Sequence, residues 1–122
     1  MDVYSYWRAV LEQDAVSMRD FFRSDAVVNW HNTNERFNSE EFIRANCEYP
    51  GEWDGEIERV EIKDDLIVTV TRVCSVDKRM SFHVTSFIKL QQDKIILIDE
   101  YWGDDGPAPQ WRQDKKLGCP IK

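Results

Sequence analysis

The chain has 122 residues, 42% hydrophobic and 12% aromatic, which suffices for one domain with a real core and excludes a disordered chain. A formal charge of −7 argues against nucleic acid as a partner, because phosphate binding needs clustered cations. The densest basic group, Arg112, Lys115 and Lys116, is short and sits beside Asp114. No stretch approaches the roughly 20 apolar residues of a membrane span, so no membrane partner is expected.

Asp2 and Arg8 fall where a secretory signal would carry an apolar run, so no such signal is expected. Cys47, Cys74 and Cys119 are widely spaced, odd in number and free of any CxxC pattern, which points to unpaired thiols in the cytoplasm.

Val3, Tyr6, Trp7, Val10 and Leu11 recur at helical spacing, with Asp2 as N-cap. Asp14 caps a second, short helix through Phe22, with Met18, Phe21 and Phe22 inward. A strand over Ala26–His31 turns at Asn32–Asn34 into a return strand, Glu35–Phe37. Asn38 opens a third helix, Glu41 completing a capping box, and Pro50-Gly51 closes it. Phe42, Asn46 and Tyr49 share one line of that helix, so the Asn46 amide either satisfies a buried backbone group or reaches a pocket rim.

The second half reads as four strands: Trp53–Ile62, Leu66–Val76, Met80–Leu90 and Ile95–Trp102. In the first, Ile57 and Val60 share a face only if a bulge intervenes near Glu58-Arg59. With it, Trp53, Gly55, Ile57, Val60 and Ile62 turn inward. The expectation is a single domain over 1–122: helices in 1–24, a short hairpin in 26–37, a helix in 38–49, a meander in 52–102 and a tail in 103–122.

Two charges stand among apolar alternations. Arg72 falls in the series Leu66, Val68, Val70, Arg72, Cys74, Val76, and Glu100 in the series Ile96, Ile98, Glu100, Trp102. Charges on a core face are costly unless paired or facing a cavity. A three-residue loop, Asp77-Lys78-Arg79, sets Arg72 against Val84 and Val70 against Ser86; the next turn sets Ser86 against Glu100 and Val84 against Trp102. Arg72 and Glu100 then approach across a concave face, as a site or as a structural ion pair. The opposite face carries Thr69, Thr71, His83, Thr85 and Tyr101 and suits a homodimer interface.

Helix, helix, short hairpin, helix and a curved meander ending in Ile98-Asp99-Glu100-Tyr101-Trp102 resembles the nuclear transport factor 2-like superfamily, and within it SnoaL-like domains. The resemblance implies an α+β cone, three N-terminal helices packed on a curved antiparallel sheet, usually dimeric through the outer sheet face. It also implies that Glu100 points into the cavity. Related proteins include isomerases, epoxide hydrolases, dehydratases and cyclases beside non-catalytic members, so the fold transfers no reaction.

His31 and His83 have no metal-ligand spacing, no glycine-rich phosphate loop occurs, and no metal or cofactor is expected. Trp30, Trp53 and Trp102 are either core residues or the walls of an apolar ligand site. Two functions follow. One is a small-molecule pocket with Glu100 as acid or base, Arg72 beside it, and Trp30, Asn46, Tyr49, Trp53, Ser86 and Trp102 as ligand contacts. The other is a non-catalytic dimeric binding or scaffold domain.

Overall fold

The computed structural model describes residues 1–122 as an α+β fold. Its elements, in order, are α1 (Val3–Glu12), α2 (Ala15–Arg19), β1 (Phe22–Trp30), β2 (Glu35–Asn38), α3 (Ser39–Cys47), β3 (Trp53–Lys63), β4 (Leu66–Ser75), β5 (Ser81–Gln91), β6 (Lys94–Asp104) and α4 (Gln110–Asp114). One sheet of order β2-β1-β6-β5-β4-β3 holds every strand. It is mixed rather than wholly antiparallel, because β1 lies parallel to β6. No helix is long and apolar enough to cross a membrane.

Local chemistry sets the helix starts. Asp2 accepts from the amides of Tyr4 and Ser5, and Asp14 from that of Ser17. At α3 the reciprocal box is complete: Glu41 N–H donates to Asn38 at 2.8 Å and Asn38 N–H donates to Glu41 at 2.9 Å. The second helix is shorter than the sequence reading has it, ending at Arg19. Phe22 instead pairs with Ile95, while Ile95 N–H donates to Phe21 C=O. Aromatic residues fit a half-buried pleated surface, and the sheet offers these amides partners that a five-residue helix cannot.

The β3 bulge stands where expected, a register shift between Ile57 and Arg59. The β5–β6 register also matches, Ser86 opposite Glu100 and Val84 opposite Trp102. The β4–β5 register does not. Thr71 lies opposite Val84, Thr69 opposite Ser86 and Val73 opposite Phe82, while Arg72 lies opposite His83. The cause is a turn one residue longer than Asp77-Lys78-Arg79. Ser75 N–H donates to Met80 C=O, and the Ser75 hydroxyl accepts from Met80 N–H while donating to Asp77. Lys78 takes a left-handed φ of 66° inside that turn. One residue of slip exchanges the faces of a strand. So Ile67, Thr69, Thr71 and Val73 face the helices, and Val68, Val70, Arg72 and Cys74 face outward.

The core lies between the concave sheet face and the helices. Tyr6, Trp7 and Val10 of α1, Met18 of α2, and Phe42 and Ile43 of α3 pack on Val28, Val84, Ile88 and Ile98. Thr69 and Thr71, expected on the outer face, are fully buried here. The apolar residues of the tail, which the sequence leads one to expect packed on the domain or on a partner subunit, do not pack on this chain. Trp111, Leu117 and Ile121 are exposed; the tail touches the domain through Asp105, bonded to Ser81 and His83, and through Lys122, 3.8 Å from Glu58.

Candidate functional site

The helices do not fill the cone. A cavity of about 570 Å³ remains at its wide end, between the last turns of α1 and α3, the turn after β1, and the ends of β3, β5 and β6 facing them. That is ample for a small organic molecule. Trp7, Val10, Leu11 and Gln13 come from α1 and the residue after it, and Ala45, Asn46 and Tyr49 from α3 and just beyond. Trp53, Val73, Phe82 and Trp102 come from four successive strands, with Trp30, Asn32, Thr33, Gly103 and Asp104 on the remaining side.

The aromatic rings form a continuous series. Tyr49 to Trp53, Trp53 to Phe82, Phe82 to Trp102 and Trp102 to Trp30 have centroid separations of 5.4, 6.1, 6.1 and 6.3 Å. Their planes turn by 65°, 39°, 83° and 72° from one ring to the next. Three of the four pairs are edge-to-face and Trp53–Phe82 is tilted; contacts of this kind are favourable in themselves and build a box rather than a flat wall. Trp7 is anchored below, its indole N–H donating to Thr69 Oγ1 at 3.2 Å.

Polar groups at the mouth hold the frame. Asn46 Nδ2 donates to Val10 C=O at 3.0 Å, and Gln13 Nε2 donates to the carbonyls of Asn46 and Tyr49. These bonds tie the end of α1 to the end of α3. Asn32 clamps the backbone of Trp102 from both sides, Nδ2 to its C=O at 2.6 Å and Oδ1 from its N–H at 2.7 Å. The side chain thereby continues the ladder beyond the end of β1.

Glu100 points to the concave side and is 1% exposed. It does not line the cavity, and its neighbours Trp30 and Trp102 do. Trp30 Nε1 donates to Glu100 Oε1 at 2.9 Å and Ser86 Oγ donates to Oε2 at 2.6 Å. Burial raises its pKa above the ordinary glutamate value, and the Ser86 and Trp30 donors oppose that without cancelling it. Tyr6, wholly buried, is pushed well above its ordinary pKa by desolvation and then by the Glu100 charge. The hydroxyls of Tyr6 and Thr71 and the indole N–H of Trp102 have no hydrogen-bond partner.

Of the residues singled out from sequence, Trp30, Asn46, Tyr49, Trp53 and Trp102 meet around the cavity. Ser86 and Glu100 lie together beneath it. Arg72 is on the other side of the sheet, its Nη2 3.5 Å from Glu56 and its Nη1 3.3 Å from Cys74 Sγ. Neither an Arg72–Glu100 site nor an Arg72–Glu100 ion pair exists; the longer β4–β5 turn separates them. Phe82, Gln13 and Asp104 were not singled out. Phe82 follows from the correct β5 register, whereas Gln13 depends on a left-handed φ of 55° after α1 that nothing in the sequence marks.

The outer face carries a second polar group. His83 sits between Asp105, 2.5 Å from Nδ1, and Glu58, 2.8 Å from Nε2. The Asp105 carboxylate, with Glu58 beyond it, raises the His83 pKa. His31 contacts Asp99 at 2.7 Å and stacks on Tyr101 with centroids 4.4 Å apart.

No protein-family model matches the sequence, and no curated protein matches it. Solved structures match over most of the chain. A protein of unknown function described as NTF-2 like, from Burkholderia xenovorans LB400, superposes with a TM-score of 0.80 at 19% identity, covering 98% of this chain and 92% of its own. A proposed ketosteroid isomerase from Kribbella flavida gives 0.80 at 16% identity, covering 98% and 87%. A proposed SnoaL-like polyketide cyclase from Shewanella denitrificans gives 0.68 at 13% identity, covering 83% and 87%. The chain has the nuclear transport factor 2-like fold shared by these SnoaL-like and ketosteroid isomerase-like structures. At such identities the likeness carries the fold and no reaction.

Proposed function

We propose that this protein binds a small, mostly apolar molecule in the cone. The observation that carries the reading is the 570 Å³ cavity walled by Trp7, Trp30, Trp53, Trp102, Tyr49 and Phe82. A pocket of that size, largely apolar and rimmed by a few fixed amides, has the general character of a ligand site. Titration with N-phenyl-1-naphthylamine tests it. Saturable fluorescence enhancement, reversed by a competing apolar compound and weakened in Trp53→Ala, supports the reading. Absence of saturation at any accessible concentration contradicts it.

In this reading Glu100 orients Trp30 through the 2.9 Å bond and keeps a carboxyl beneath the floor. Acid or base chemistry at Glu100 requires a movement that opens it to the cavity, which it does not line. Loss of turnover in Glu100→Gln with ligand affinity retained is the result that assigns it such a role.

Assembly as a homodimer through the outer sheet face is part of the proposal. Val68, Val70, Phe87, Leu97 and Tyr101 share that face, and Phe87 and Tyr101 are exposed as large apolar groups. The strip is more apolar than the threonine-bearing face read from the sequence, which favours a protein partner over water. The three free thiols suit a cytoplasmic setting.

A further inference from the structure

We propose, resting on the reading of the cone as a small-molecule pocket, that its ligand carries a tertiary or quaternary ammonium group seated among the tryptophans. Three observations converge. The cavity lining contains no Lys, Arg or His, and its one charged residue is Asp104 at the mouth. An anionic ligand meets no compensating cation there, whereas a cation meets a carboxylate in a chain of net charge −7.

The second observation is the ring series from Tyr49 to Trp30. Indole presents the most strongly negative face of the aromatic side chains, and alkylammonium groups bind such faces when several rings enclose them. Successive rings turned by 39° to 83° enclose a rounded group better than a flat one. The third is the state of the amides. Asn46 and Gln13 donate through nitrogen to backbone carbonyls of the protein, and neither side-chain oxygen accepts a hydrogen bond. The mouth therefore offers acceptors and no free donor from this pair, the polarity a cation needs. A methylated ammonium has few or no N–H groups to satisfy, so it suits a site made of π-faces.

Charge separates this ligand class from a neutral molecule of equal shape. The experiment compares benzyltrimethylammonium with its neutral carbon isostere, neopentylbenzene, by quenching of tryptophan fluorescence at neutral pH. The cation is expected to bind about tenfold tighter, the scale of a desolvated cation–π contact. Equal or tighter binding of the isostere overturns the ammonium assignment and leaves the pocket reading standing. Failure of both ligands, together with failure of the naphthylamine probe, overturns both. In Trp53→Leu both ligands lose the contact area of the indole, and the cation is expected to lose the larger factor, so that its advantage shrinks; equal factors of loss contradict the assignment. Should that variant not fold, Trp53→Phe, with its weaker ring face, tests the same point and is expected to shrink the cation's advantage by a smaller factor.

Discussion

Glu100 is a buried carboxyl whose protonation is linked to folding. Its carboxyl is 1% exposed, receives two hydrogen bonds and has no cation beside it. Desolvation raises its folded pKa, so above the unfolded value near 4.5 the folded state holds more protons than the unfolded one. By linkage that makes stability fall as pH rises from about 4.5 through the folded pKa. Glu100→Gln keeps the shape and the bond from Trp30 and cannot ionise. The variant is expected to flatten the pH dependence and to exceed the native protein in stability at neutral pH, read by urea denaturation across pH. A native protein whose stability rises over that range contradicts the argument. Trp7 makes the second residue-scale case. Trp7→Phe leaves the buried Thr69 hydroxyl without its donor, at a cost of about 1–3 kcal/mol. Thr69→Val in the same background should recover part of it, and an unchanged denaturation midpoint in the single variant would show the bond to be idle.

Elements differ in how far their sequences determine them. The α3 start is written in two side chains, and Asn38→Ala is expected to cost about 1 kcal/mol in a thermal or urea melt. No loss there would mean that tertiary packing alone holds the helix end. The β3 bulge was legible because Ile57 and Val60 cannot otherwise share the core face. The β5–β6 register was legible because Val84, Ser86, Ile98 and Glu100 leave one sensible pairing. β4 was not, since both of its faces carry strand-forming, largely β-branched residues: Ile67, Thr69, Thr71, Val73 on one side and Val68 and Val70, after Leu66, on the other. Hydrophobic pattern cannot choose between such faces. The choice lies in a turn held by Ser75 and in the Trp7–Thr69 bond, a contact 62 residues apart in sequence. That one slip carried Arg72 out of the predicted site while leaving Glu100, Trp30, Trp53 and Trp102 in or beneath it.

At the scale of the whole molecule, the sheet and three helices form a cone whose narrow part is core and whose wide end is a tryptophan-lined cavity. The tail beyond Gly106 adds no buried residue to this frame. Removing residues 107–122 is therefore expected to leave the thermal midpoint of the isolated chain unchanged, and a clear drop would reveal packing supplied by a second copy. The five tryptophans provide an internal comparison for the central claim, because Trp7, Trp30, Trp53 and Trp102 line the cavity and Trp111 lies exposed in the tail. The most direct measurement is the indole N–H region of a proton–nitrogen correlation spectrum during titration with benzyltrimethylammonium. Saturable shifts of the four cavity indoles are expected, with Trp111 unmoved. Shifts confined to Trp111, or uniform small shifts of all five without saturation, would contradict the central claim.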